Sequence, residues 1–156
     1  MLVGTLLSCS EAWYNVSEPD LGQIKQVDKS LLCNLLEFAR TVPYDLLCLE
    51  LGVEPLKFII ISRRLVYLQH ILKQKESFLV RQFLITQAIN PKKKDWITTI
   101  KKDLEQLEIN LSLLEIEEIG KSTYKRMIKN KTKEPAFRYL NEKKIDRNGK
   151  GREINY

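Results

Sequence analysis

Few side chains in this sequence have a type and spacing suited to covalent chemistry. The single histidine, His70, falls in a stretch with apolar residues at helical spacing, where a half-buried structural role is the expectation. Cys9, Cys33 and Cys48 lack metal-site spacing and no second histidine supports them, so each reads as a small core residue. Gly120-Lys121-Ser122-Thr123 matches the end of a phosphate-binding loop, but Glu115 stands where that loop needs its first glycine. Glu115, Glu117 and Glu118 would also repel a phosphate, and Ser122 is expected to cap a helix instead. No carboxylates are paired in the way that holds two metal ions at a polymerase centre. The expectation is a chain without catalytic residues, metal or cofactor.

What the spacing does supply is cations. Arg63 and Arg64 are adjacent, and Lys92, Lys93 and Lys94 form a run. Lys121, Lys125, Arg126 and Lys129 follow, joined by Lys131, Lys133 and Arg138; Lys121, Lys125 and Lys129 are four apart, on one helix face. The net charge is +6, but residues 121–156 hold 12 Lys+Arg against 4 Asp+Glu. Residues 1–78 (8 against 9) and 79–120 (6 against 7) are each slightly acidic. Such asymmetry points to nucleic acid or another acidic partner; the plainer alternative is a solvated helix face and a loose tail. Cations without a base-reading pattern touch phosphates rather than base edges. For Arg63-Arg64 the competing expectation is pairing with Glu50 or Glu54. Tyr124 and Tyr139 could stack on bases, but core packing is the expectation.

The elements that carry these cations read almost entirely as helix. A length of 156 residues suits one domain, and 44% hydrophobic with 29% charged residues is a globular balance. Six Gly and five Pro are too few for a many-turned sandwich or barrel, and three Cys argue against a disulfide framework. The longest purely apolar run, Phe58-Ile59-Ile60-Ile61, is far short of the ~20 residues that span a bilayer. Met1 to Leu7 lacks the basic start of a secretory signal, so a buried helix over Leu2–Asn15 and an intracellular setting (cytoplasmic or nuclear), with reduced thiols, are expected. A core helix at the initiator Met suggests a chain cut from something longer.

Ser17 caps a second predicted helix running to Arg40, with an apolar stripe of Leu21, Ile24, Val27, Leu31, Leu35 and Phe38. A short helix follows over Tyr44–Leu51, with Gly52 suited to its C′ position. Pro55 opens the central core helix, which reaches Gln74 with Phe58, Ile61, Leu65, Leu68 and Leu72 on one face. Phe78–Ile89 forms the next. Asp95 caps a helix bearing Trp96, Ile97, Ile100 and Leu104, and Ser112 with Glu115 makes a capping box. The last helix starts after Ser122, presents Tyr124, Met127, Ile128 and Lys131 on one side, and should break or kink at Pro135. The expectation is an all-α fold, an irregular bundle of six to eight helices, with one domain over 1–144 and a flexible basic tail over 145–156.

The order of several short motifs carries a resemblance. Ser10-Glu11-Ala12-Trp13-Tyr14 comes first, then Leu49-Glu50-Leu51-Gly52-Val53-Glu54-Pro55-Leu56-Lys57-Phe58-Ile59-Ile60, then Ser62-Arg63-Arg64-Leu65-Val66-Tyr67-Leu68-Gln69-His70-Ile71-Leu72. Asn90-Pro91 with Asp95-Trp96 and Ala136-Phe137-Arg138-Tyr139-Leu140 complete the series. From Leu2 to Leu140 this resembles the region that follows the polymerase core in non-LTR (LINE-type) retrotransposon reverse transcriptases. The catalytic Tyr-X-Asp-Asp turn is absent, Tyr44-Asp45 being followed by Leu46, and the endonuclease has no counterpart. The resemblance implies a thumb and C-terminal extension, carried by a truncated copy or gene fragment, that binds RNA/DNA duplex backbone non-specifically and lacks its polymerase core. The alternative is an independent helical interaction module whose basic face meets an acidic protein. Neither reading expects a membrane or small-molecule ligand.

Leu65 lies in the middle of the predicted core stripe and Lys93 in a polar loop. Leu65→Asp should therefore unfold the domain, an unpaired buried charge costing several kcal/mol, whereas Lys93→Glu should melt with the parent. Thermal denaturation followed by circular dichroism compares the two.

Overall fold

A computed structural model describes residues 6–13 and 16–150, with side chains through residue 143. It is all-helical, with seven α-helices and no strand among the described residues. They are α1 (Glu18–Leu36), α2 (Tyr44–Leu51), α3 (Leu56–Leu72), α4 (Leu79–Ile89), α5 (Trp96–Gln106), α6 (Leu113–Glu118) and α7 (Lys121–Lys150), preceded by a 3-10 turn at Ser10–Ala12.

α3 is the axis of the bundle. It packs against α7, the N-terminal turn, α5, α6 and α4, and α7 also covers α2. The apolar spacing read from the sequence explains this. Ile61, Leu65, Leu68, Ile71 and Leu72 of α3 are buried together with Leu84, Ile97, Ile100, Leu104, Ile116, Tyr124 and Ile128 from four other helices. Leu65 is fully buried. A smaller cluster joins Leu56 and Ile60 to Leu7 and Leu21, with Trp13, Ile24 and Tyr44 packed on it.

Polar side chains from α3 fix its neighbours. Arg64, 7% exposed, donates from Nε and Nη2 to both oxygens of Asp103 on α5, at 2.8 and 2.9 Å, and from Nη1 to the Trp13 carbonyl at 3.3 Å. Buried Gln69 donates from Nε2 to the carbonyls of Ile116 and Ile119, 2.9 Å each, and so holds the corner between α6 and α7. Arg81 of α4 donates to the carbonyls of Leu72 and Gln74 at the end of α3 and pairs with Glu117 of α6 at 3.1 Å. On the other flank Tyr44 donates to Asp28 at 2.9 Å and accepts from the Leu56 amide at 3.3 Å. Burial pushes the Asp28 carboxyl above its ordinary range, with the Tyr44 hydroxyl opposing. It also raises the neighbouring Cys48 thiol to about 11, so Cys48 stays a protonated core residue at neutral pH.

Several local expectations need correction. Of the helix expected over Leu2–Asn15, residues 1–5, 14 and 15 lie outside the described residues; the described part contains a 3-10 turn after left-handed Cys9 (φ 58°), which is exposed rather than buried. α1 ends at Leu36 rather than Arg40, because Glu37 turns left-handed (φ 55°) and its amide bonds back to Cys33. Its stripe is only partly covered, with Val27, Leu35 and Phe38 exposed. Asp95 sits at the N-cap of α5, yet its carboxylate accepts from the Lys92 amide at 2.8 Å instead of capping. Ser122 does not cap α7; the helix opens at Lys121, and the Gly120 carbonyl accepts the Tyr124 amide at 2.9 Å. Of the break or kink expected at Pro135, the break does not occur, and α7 runs through the proline as helix. The proline leaves the Lys131 carbonyl without its helical donor, but Lys131 is exposed, so water can serve. α7 continues as backbone to Lys150, past the expected limit at Lys144; residues 151–156 lie outside the described residues.

Arg64→Leu should destabilise the fold by about 3–5 kcal/mol, because Asp103 is left buried and unpaired. Adding Asp103→Leu should recover most of that loss. Chemical denaturation of the two single variants and the double variant measures the coupling; additive losses would contradict it.

Candidate nucleic-acid interface

α7 places its lysines by burying the row beside them. Tyr124, Ile128, Thr132, Ala136 and Leu140, spaced by four, are all buried against the bundle. Lys125, Lys129 and Lys133 occupy the adjacent row, each one residue after a buried position from Tyr124 to Thr132, with Lys121 four residues earlier, and all four are exposed. The burial of Tyr124 settles its role: its ring is core, and burial raises its hydroxyl well above the ordinary tyrosine range. Tyr139 is half-buried and packs its ring at 6.1 Å from that of Phe58. Lys131, expected on the Tyr124 side, is exposed.

Lys125 and Lys129 share an open groove of about 680 Å³ with Arg63, His70, Ser62 and Tyr67 of α3. Arg63 is half-buried and donates to the Leu7 carbonyl at 2.6 Å, which fixes its guanidinium on the groove wall. His70 is exposed rather than half-buried; it stacks on Tyr67 at 5.9 Å and lies 3.1 Å from the Gln74 amide nitrogen. Two carboxylates, Glu11 and Glu54, also line the groove. Partial burial pushes the Glu54 carboxyl above its ordinary range, with Lys133 and Lys129 opposing. The groove is therefore cationic with an acidic counterweight, and can take an anion only against Glu11 and Glu54.

The remaining cations separate. Lys92, Lys93 and Lys94 are exposed in the loop before α5, and Arg126 is exposed on another face of α7. Arg64 is removed from the interface altogether, because its guanidinium is buried on Asp103. The partner of Arg64 is thus neither Glu50 nor Glu54, and Arg63 binds a backbone carbonyl. Burial raises the Asp103 carboxyl and outweighs the downward pull of Arg64. The sequence offers Glu54 only as a pairing candidate for Arg63-Arg64 and does not single out Glu11; both glutamates reach the lysines of α7 only through the tertiary fold. Lys133 continues the four-residue lysine row beyond the groove.

Among the described residues no group of three or more His, Cys, Asp or Glu could hold a metal ion. No helix among them is long and apolar enough to cross a membrane. Comparison with protein-family models, with curated proteins and with solved structures finds no match to this chain.

Glu54 opposes an anion in the groove. For a duplex backbone seated in this groove, Glu54→Gln would tighten binding at pH 7 by about two- to fivefold, the scale of one exposed charge interaction. In the parent, Glu54 takes up its proton earlier than an ordinary carboxylate as pH falls, so affinity should rise through the acid range, and Glu54→Gln should lose that part of the rise. Fluorescence titration at several pH values reads both effects.

Proposed function

We propose that this chain is a non-catalytic helical domain that holds the phosphate backbone of a nucleic-acid duplex, in the manner of the reverse-transcriptase thumb and C-terminal region that its motifs resemble. One observation carries the reading. Lys121, Lys125, Lys129 and Lys133 form an exposed row on α7 that winds about 40° round the axis per step, and Lys125 and Lys129 border a groove whose opposite wall presents Arg63. Four lysines at one-turn intervals extend about 18 Å along the helix, a spacing suited to several phosphates of one strand. Side chains of this kind neutralise phosphates without reading sequence.

The reading differs from a catalytic one in what it asks of the chain. Backbone binding needs only fixed positive charge on a rigid support, and the α3–α7 packing supplies that support. Lys92, Lys93 and Lys94 form a second cationic element, at the opening of α5. The missing polymerase core and an RNA/DNA duplex are the partners that the reading requires.

Replacing Lys121, Lys125 and Lys129 with Ala should weaken binding to all duplexes alike and flatten the log–log salt slope by roughly two to three, at about 0.9 per phosphate. Folding should survive, since all three are exposed. Titration of an RNA–DNA hybrid at about 100 mM salt decides: affinity no better than ~10⁻⁴ M, unchanged in the triple variant, would leave the lysine row as a solvated surface.

A further inference from the structure

The lysine groove leaves α4 unexplained. This helix carries one charged residue, Arg81, in its sequence Leu79–Ile89, and that residue faces inward to Glu117 and the end of α3. Leu84 faces the core. The outer side presents Phe78, Leu79, Val80, Phe83, Ile85 and Ile89, between 40% and 78% exposed, around the uncharged polar residues Gln82 and Thr86. Contiguous exposed apolar side chains of this number mark an interaction surface. No described element covers the outer side of α4.

We propose that a second copy of this chain covers it, through a two-fold axis running along α4 that pairs the helix in parallel with its own copy. Area supports this occupant. A fully exposed aromatic side chain presents roughly 150–250 Å² and the aliphatic ones somewhat less, so Phe78, Leu79, Phe83, Ile85 and Ile89, with Val80 turned toward the flank, give at most about 600 Å² per copy. A pair would bury about 1,200 Å², at the lower edge of the ~1,200–2,000 Å² of stable interfaces, and each face alone is at the upper end of the ~300–600 Å² patch found on a typical monomer.

Charge selects the arrangement. On one side of α4, Val80, Phe83 and Gln87 share a slot of about 400 Å³ with Lys94, the end of the Lys92-Lys93-Lys94 run, and with Asp95, whose carboxylate accepts from the Lys92 amide, so the flank keeps a net positive charge. On the other side Arg81 reaches α6, which carries Glu115, Glu117 and Glu118. A two-fold axis parallel to the helix exchanges left and right, so each lysine flank meets the partner's acidic flank. An antiparallel pair would stack like on like. A surface of uniform negative charge would suit the lysine flank but be repelled by the glutamates of the other. The crest itself adds no unpaired hydroxyl, because Thr86 Oγ1 already donates to the Gln82 carbonyl at 2.9 Å. Gln82 would meet its own copy across the axis, where two amides can pair.

Sedimentation velocity on the full chain tests this. The expected result at ~50 µM, above the micromolar end of the range that specific interfaces span, is a species of twice the 18.3 kDa chain mass. Leu79→Asp with Phe83→Asp should return it to a monomer with unchanged helicity, since both positions are exposed. Gln82→Cys in a Cys9→Ser background should form a disulfide-linked dimer on mild oxidation, because a parallel two-fold brings residue 82 onto itself. A monomer at that concentration in both low and moderate salt overturns the proposal. So does a dimer that the double Asp change leaves intact, a non-covalent dimer without the residue-82 cross-link, or a monomer that captures phosphatidylserine vesicles through the same two residues. Hybrid binding, measured on the double Asp variant, belongs to the lysine row, so the two readings fail separately.

Discussion

The bidentate contact between Arg64 and Asp103 constrains the centre of this fold. It ties the axial helix α3 to α5, and its third bond, to the Trp13 carbonyl, reaches the N-terminal turn. Both charges are inside the protein, where each alone would be costly. Their two parallel hydrogen bonds hold the guanidinium and the carboxylate in one mutual orientation, a directional constraint added to the non-directional packing of Ile97, Ile100 and Leu104. The neighbouring Arg63, set about 100° further round the helix, is carried to the groove instead. One residue of difference in phase separates an internal clamp from a surface cation.

Local grammar was the legible part. Ser17 caps α1, Ser112 with Glu115 forms a capping box, Gly52 takes its left-handed turn at φ 62°, and the stripe of α3 is buried as its spacing requires. These signals act over three or four residues, so sequence alone carries them. Long-range partners were not legible. Asp103 lies 39 residues from Arg64, and the carbonyls that Gln69 ties lie 47 and 50 residues away. Nothing in the types Arg-Arg or Gln-His distinguishes an inward side chain from an outward one. Breaks without a breaker were missed for a similar reason: Glu37 terminates α1 in a conformation that glycine would have advertised.

The candidate site was half legible. The lysine row was visible as a four-residue repeat, and its exposure follows from the buried row beside it. The acidic members of the groove were not visible, because Glu11 and Glu54 approach α7 only through the packing of the N-terminal turn and the α2–α3 junction on the bundle. Electrostatic readings of a linear sequence count charges, whereas the fold decides which of them face one another.

The seam of α7 has a mechanical consequence. Tyr124, Ile128, Thr132 and Ala136 are wholly buried, so the helix cannot roll about its own axis without bringing an aromatic ring and two aliphatic side chains into water. The lysines one position later are thereby locked in azimuth as well as in spacing. Their array behaves as a ruler printed on a rigid rod, whose markings disappear only when the rod itself detaches. Charge geometry and global folding would then be lost in a single cooperative step as temperature rises, without an earlier stage in which the protein is folded but its electrostatic pattern is blurred.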